Sequence, residues 1–395
     1  MRAISVAPRH KEKPFRQLIE QHGSPLLVLD CSILRQQYRN MKMALPNVEA
    51  HYAIKSLPDT TAMATLAAEG ASFDLATSGE IELMRSIGAN PSATIHTHPV
   101  KRDQDIRDAL QYGCNTFVVD NIDELLKFQE YRSRAEILLR VSFRGQNVRC
   151  DLSRKFGCEL KDVPFLLVEA AKHGIRIKGL SFHVGSQSPN SDNHVAAINA
   201  CLPFFVDPKL LGAEHLSVLD IGGGFPADYA QEGFDLDAFC APITEALGQY
   251  PSNVKFISEP GRYLSAPCVT AISSVMGRAK RSGLHWYYLD DGVYGSYSGQ
   301  IFDDASYPMT VFSDQIEMHD SVLAGPTCDS VDVISELAVL PQLAIGDIVV
   351  GEMMGAYTLA TACEFNSIPK PKMIAVNVEL AEEENVRHLF AEHIW

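Results

Sequence analysis

The sequence contains no CxxC pair. Its nine cysteines, at 31, 114, 150, 158, 201, 240, 268, 328 and 363, are scattered and odd in number. This argues against a structural zinc site or a disulfide framework, and for reduced thiols in a cytoplasmic protein that uses no metal. No run of about 18 uncharged apolar residues occurs, so no membrane span is expected. The stretch Val331–Gly351 is apolar overall, but Asp332, Glu336 and Asp347 interrupt it. The N-terminus, MRAISVAPRHKEKPF, has charge but no apolar core, and no secretory signal is visible there. Basic residues are in deficit, 34 against 49 acids, for a formal net charge of -15. Such a balance argues against nucleic acid or an anionic membrane as the main partner. What remains is ordinary globular composition, 46% hydrophobic and 21% charged, in 395 residues, long enough for two domains.

Short β-rich runs alternate with helical patterns over the first two thirds of the chain. The β runs are Glu49–Ile54, Ser72–Ala76, Ala93–Thr97, Thr116–Asp120, Glu136–Val141, Ile177–Val184, Leu216–Ile221 and Lys255–Glu259. Amphipathic stretches such as Thr60–Glu69, Gly79–Ile87, Lys101–Tyr112, Asn121–Tyr131 and Val163–His173 lie between them. Eight strands with helical links predict an α/β protein with a (β/α)8 TIM-like barrel, although a doubly wound open sheet gives a similar alternation. From about Pro267 the pattern changes to strands separated by turns: Ala271–Val275, His285–Leu289, Ser321–Ala324, Asp347–Val350 and Met373–Val378. The division predicted is a barrel over 31–267. A second, β-rich domain, sandwich- or barrel-like, takes 268–395 together with 1–30, whose run Pro25–Asp30 supplies an N-terminal strand.

Chemistry in such barrels sits at the C-terminal ends of the strands. Six of the eight predicted strands deliver polar or Gly-rich groups there: Lys55; Asp74, with Glu80 just beyond; Arg140; His183, Gly185 and Ser186; Asp220 and Gly222–Gly224; Glu259, Gly261 and Arg262. A lone strand-end lysine usually snorkels to water. In a dry pocket Lys55 would instead be a nucleophile toward carbonyls, as an aldehyde cofactor requires. The glycine triplet, where a strand hands over to a helix, lets backbone N–H groups approach an anion. GGGFPADY lacks the spacing of a dinucleotide fingerprint. Glu259 would pair either with Arg262 or with a protonated heterocyclic nitrogen. His183 is either a satisfied core histidine or a ring that stacks on a cofactor. Cys328, in AGPTCDS, reads as a small buried hydrophobe or as a proton donor.

Ten motifs in register resemble the fold-type III pyridoxal-phosphate decarboxylases of basic amino acids, the ornithine/lysine decarboxylase family, its ornithine branch most of all. They are YAIKS, FDLATSGEIE, LSRKFGC, SFHVGSQ, DIGGGFP, EPGRYL, DDGVYGS, AGPTCDSVD, GAYT and EFN, running from Tyr52 to Asn366. The resemblance implies a Schiff base between Lys55 and pyridoxal 5'-phosphate, Glu259 on the ring nitrogen and His183 stacked on the ring. It places Ser186, Gly222, Gly223, Gly224, Gly261, Arg262 and Tyr357 around the phosphate, and gives Asp74, Glu80 and Arg140 the orienting of Lys55 and His183. Members are homodimers with shared active sites, so Cys328 and Asp329 would act on the other subunit's cofactor, Cys328 as proton donor, with Tyr294 lining that interface. Asp303 would receive the substrate's side-chain ammonium, and Phe365 would pack near the pocket. Many relatives carry tyrosine where this chain has Phe302.

The implied reaction takes L-ornithine to putrescine, a polyamine precursor. Lysine is one methylene longer, a difference of roughly 1–3 kcal/mol, and stays open as an alternative or second substrate. The acids Asp303 and Asp329 argue against diaminopimelate, whose second carboxylate calls for an arginine. Cys328 in place of a second tyrosine base argues against alanine racemase. The rival of another class is a non-catalytic binding protein, which the intact cofactor residues oppose.

Overall fold

Eight parallel strands close into a barrel in the computed structural model, which describes residues 4–143, 154–206 and 216–379. In order they are Val48–Ala53, Ser72–Leu75, Thr94–His96, Thr116–Val119, Glu136–Val141, Ile177–Phe182, Val218–Asp220 and Lys255–Ser258, the last pairing back on the first. Cys150, and Leu152 and Ser153 of the LSRKFGC motif, lie outside the described residues.

Local signals set the helices between the strands. Asp59 caps Thr60–Ala68 by accepting from the backbone N–H groups of Thr61 and Ala62, both at 2.9 Å. Thr77 caps Ser78–Ser86, Asn121 caps Ile122–Leu126, and Gly113, left-handed at φ 109°, ends Asp103–Tyr112.

Inside the barrel Ile95, Val118, Leu138, Val218 and Ile257 form an apolar layer. A strand repeats its facing every two residues. The residues two further along these strands therefore share the interior face: Thr97, Asp120, Arg140, Asp220 and Glu259. Cross-strand register agrees, running Arg140 to Ser181, Ser181 to Asp220, and Asp220 to Ile257. An apolar floor thus carries a polar layer at the C-terminal end.

The chain divides into two units. The barrel unit is Arg35–Ala227 with Gly233–Leu264; the other is Met1–Leu34, Asp228–Glu232 and Ser265–Trp395. The division falls a few residues from 31 and 267, inside the helix Cys31–Ala44, and the short segment Asp228–Glu232 leaves the barrel unit.

The second unit is a mixed nine-stranded sheet among the described residues. Its central strand, Val269–Arg281, is shared. The first half pairs with Leu26–Asp30 and Ile348–Gly351; the second half, past a register shift at Val275/Gly277, pairs with Leu284–Leu289. Ser282 and Gly283, both at positive φ, make the two-residue hairpin between them. Leu26–Asp30 also pairs with Lys372–Val376, so the N-terminal strand joins this unit as expected. Phe15, Leu26, Val28, Ile272, Phe312, Ile348 and Val350 form its core.

Candidate active site

Each predicted site residue falls within one unit or the other. Lys55, Asp74, Glu80, Arg140, His183, Ser186, Gly222–Gly224, Glu259, Gly261 and Arg262 belong to the barrel unit. Tyr294, Asp303, Cys328, Asp329, Tyr357 and Phe365 belong to the β-rich unit.

In the barrel unit, Lys55 sits in a single 3-10 turn, Ile54–Ser56, directly after the first strand. Its Nζ donates to Asp74 Oδ2 at 2.7 Å. Asp74 is buried and its other oxygen accepts from the Thr97 hydroxyl. The lysine side chain keeps 41% exposure and has a buried carboxylate partner. The carboxylate, not an apolar wall, holds the amine. Glu80 braces the same corner by accepting from the Ala76 N–H at 2.5 Å, and burial raises its carboxyl above the usual range.

Arg140 lies in the polar layer among carboxylates. Burial pulls its guanidinium below its ordinary value, against Glu259, Asp120, Asp220 and Asp74, and its buried Nη2 has no hydrogen-bond partner among the described residues. His183 is held well below the usual imidazole value by burial first, then by Arg140 and Lys55. The ring is therefore neutral. Its Nδ1 accepts the Gly185 N–H at 3.0 Å, which leaves the proton on Nε2 and fixes the plane of the ring.

The glycine run admits no side chain. A Cβ on Gly222 would lie 2.2 Å from the Phe182 carbonyl oxygen; one on Gly223, 2.7 Å from the Glu259 carbonyl oxygen; one on Gly224, 2.5 Å from that of Gly185. The expected hand-over to a helix does not occur here, because the next helix begins only at Leu236. What forms is a backbone cradle clamped by strand eight, where the Glu259 N–H donates to the Gly222 carbonyl at 2.8 Å. Beside it, buried Arg262 donates through Nε and Nη2 to Ser186 Oγ at 3.1 and 3.0 Å. Two supporting residues had no role in the sequence reading. Thr97 orients Asp74, and buried His194 reaches the Gly223 carbonyl at 3.0 Å from below the cradle.

In the β-rich unit, Tyr294 and Phe365 stack with centroids 4.5 Å apart. Tyr294 donates to Asp329 at 2.5 Å, which pushes its own phenol up to about 12 and lowers the Asp329 carboxyl. Cys328 is exposed, not the buried hydrophobe of the bland reading, and its N–H is held by Asn366 Oδ1 at 3.0 Å. Asp332 ties this loop to the DDGVYGS loop by accepting from the N–H groups of Val293 and Thr327, at 2.9 and 3.0 Å. Tyr357 has left-handed backbone, φ 55°, a conformation that concentrates at functional sites. Asp303 is partly exposed at the end of Gly299–Phe302, and Phe302 itself is exposed.

Residues 31–266 match the family described as "Pyridoxal-dependent decarboxylase, pyridoxal binding domain". The chain is 33% identical over 359 residues to the lysine/ornithine decarboxylase of Selenomonas ruminantium, covering 91% of each. A solved lysine/ornithine decarboxylase from Vibrio vulnificus, complexed with putrescine, is 52% identical, with a TM-score of 0.89 over 95% of this chain and 100% of that one. The arginine decarboxylase of Paramecium bursaria Chlorella virus, bound to agmatine, is 29% identical, with a TM-score of 0.87 over 92% of this chain and 100% of that one.

Proposed function

Because this chain belongs to the family of pyridoxal-dependent decarboxylases that act on ornithine, lysine or arginine, we propose that it converts L-ornithine to putrescine and carbon dioxide. Its cofactor is pyridoxal 5'-phosphate. The residues present fit that group. The glycine cradle excludes every Cβ, Arg140 has a buried donor unmatched among the described residues, and a buried carboxyl pair, Asp220 and Glu259, faces the interior. When bound, the cofactor supplies a sink for the electron pair that departing carbon dioxide leaves behind.

The protein's part is positioning and charge. Lys55 would hold the aldehyde end, with Asp74 fixing Nζ and taking up its positive charge. Neutral His183, its plane set by Gly185, would cover one face of the ring. Glu259 would keep the ring nitrogen protonated. Ser186, Arg262, Tyr357 and the backbone of Gly222–Gly224 and Gly261 would bind the phosphate. Asp303 and Asp329 would receive the distal ammonium of the substrate. Cys328 would return a proton to the α-carbon from a second subunit, in a homodimer with shared sites. The exposure of the Cys328 thiol, beside the surface stack of Tyr294 and Phe365, supports that reading, since a second copy can cover it.

The observation that carries the proposal is the Lys55–Asp74 pair set among His183, Arg140 and Glu259 at the C-terminal end of a closed barrel. A second reading, lysine as an equal substrate, is favoured by the name of the 52% identical neighbour. Kinetics on one purified sample decide between them. An ornithine preference of about tenfold or more in kcat/KM, the low end of what one methylene provides, supports the proposal. Equal values make the enzyme dual, and the highest value for arginine overturns the assignment. Lys55→Ala should abolish the cofactor's borohydride-sensitive absorbance, and a colourless wild type that takes up no cofactor would point to the binding-protein alternative.

A further inference from the structure

Asp220 is the most deeply placed acid in the polar layer, with no exposed surface. It ends the seventh strand, and its register partner on the eighth is Ile257, so its side chain shares the interior face with Glu259 two residues on. One of its oxygens, Oδ1, accepts the Gly222 N–H at 2.9 Å. No protein N–H or O–H among the described residues reaches Oδ2. Ser181, its cross-strand neighbour, has a buried hydroxyl that makes no hydrogen bond among the described residues and so does not supply the donor. The group Asp220 does meet, at hydrogen-bonding range, is the carboxyl of Glu259.

Two buried carboxylates in contact cannot both be ionised without a cation between them. The charged groups facing the pair are Asp74, Lys55 and Arg140. Lys55 pairs with Asp74, and both Lys55 and Arg140 favour the charged form of Glu259. Asp120 stands further out, partly exposed, and accepts the Gly157 N–H at 2.8 Å. With one proton on the pair, Lys55 and Arg140 balance Asp74 and the remaining charge. Of the two acids, Asp220 is the more deeply buried, and no donor among the described residues reaches its Oδ2.

We propose that Asp220 is a neutral carboxylic acid that donates its proton to Glu259, and so acts as a positioning residue for the acid assigned to the cofactor's ring nitrogen. The hydrogen bond occupies one Glu259 oxygen and leaves the other turned to the site. The same residue holds the cradle, through Gly222, so a single side chain aligns the acid and the anion loop. Burial and the neighbouring Glu259 both favour the neutral form of Asp220.

The inference rests on the role given to Glu259 only for its consequence in cofactor binding, and the test separates the two. Full-length wild type, Asp220→Asn and Asp220→Ala are compared with and without cofactor. An infrared C=O band of a neutral carboxyl, present in wild type at pH 7 and missing in Asp220→Asn, is expected in both states; its absence from wild type overturns the proposal. The wild-type folding constant relative to Asp220→Asn should fall about tenfold per pH unit from pH 5 to 7, because a carboxyl protonated only in the folded state loses its advantage as pH rises. A flat ratio overturns it. In cofactor titrations, Asp220→Asn, whose amide can still donate, should bind within about threefold of wild type, and Asp220→Ala about tenfold more weakly. Equal loss in both variants overturns the positioning role. If Asp220→Ala does not fold, the other two measurements decide.

Discussion

Gly222→Ala isolates the steric logic of the cradle. Gly222 has φ +65°, and an added Cβ would lie 2.2 Å from the Phe182 carbonyl oxygen and 3.0 Å from His183 Cα. Both neighbours are backbone of strand six, so no rotamer change relieves the overlap. A non-glycine residue held in left-handed backbone costs about 1–3 kcal/mol. Forcing extra volume into a packed site costs about 1–3 kcal/mol more. Gly233 provides the control in the same unit, with φ +90° and nothing within 4 Å of its built Cβ. Gly233→Ala should therefore lose the conformational part alone. Urea unfolding should place Gly222→Ala lower by about 2–6 kcal/mol, against about 1–3 for Gly233→Ala. Because the displaced backbone carries His183, cofactor titration should weaken in Gly222→Ala and not in Gly233→Ala. Equal destabilisation by the two substitutions, with cofactor binding intact in both, would refute the argument.

Asp291 is buried in the β-rich unit, and that burial pushes its carboxyl up to about 6. A carboxyl raised in the folded state supports folding below its unfolded value of about 3.9 and loses that support as pH climbs through 6. Relative to Asp291→Asn, wild-type stability should then fall by about 3 kcal/mol across the window, read as the change in urea midpoints between pH 4 and 7; parallel pH curves would count against it. Leu138→Ala, in the barrel's apolar layer, should cost about 2–5 kcal/mol, whereas Leu337→Ala, on an exposed face, should cost under about 0.5, and similar denaturation midpoints would contradict the layer assignment. Cys328→Ala should take up cofactor as wild type does and release little diamine; unchanged turnover would remove Cys328 from proton return. Asp303→Ala should raise the KM for ornithine while leaving cofactor titration unchanged, and equal losses in both would point to misfolding.

The barrel was legible because a parallel strand buried on both faces leaves a nearly continuous apolar run, and such runs end sharply at Lys55, Arg140, Asp220 and Glu259. Predicted strand limits lie within a residue or two of those observed. The β-rich unit was less legible. Val333–Pro341 was missed because its facing alternation breaks, with Glu336 and Leu337 both exposed beside a shifted register against Met318–Ala324. Met309–Phe312 was also missed, and the helix Lys13–His22 has a proline in its first turn and little apolar content. Among site residues, Asp220 was legible as a polar strand end, whereas Thr97 gave no signal of its own type. Both carry a positional signal: each lies two residues past a member of the apolar floor, Ile95 and Val218. His194 could not be found this way, because it sits on a helix and touches the cradle only through a carbonyl.

The end of strand eight fits the ligand proposed above, basic at one end and anionic at the other. In the succession Glu259-Pro260-Gly261-Arg262, the acid lies in the interior layer and the anion-binding backbone follows within three residues, about 10 Å of extended chain at most. An acid that close to a phosphate would repel it if both charges met the same open space. The cradle would avoid this by offering backbone rather than side chains to the anion, with the Glu259 N–H committed to Gly222 and, on the inference above, one Glu259 carboxyl oxygen committed to Asp220. Arg140 stands among the interior carboxylates, while Arg262 is drawn to Ser186 at the rim. The two arginines thus divide the charge between the interior polar layer and the rim. Exchanging either for lysine would keep the net charge of -15 yet lose the planar donors that make the division.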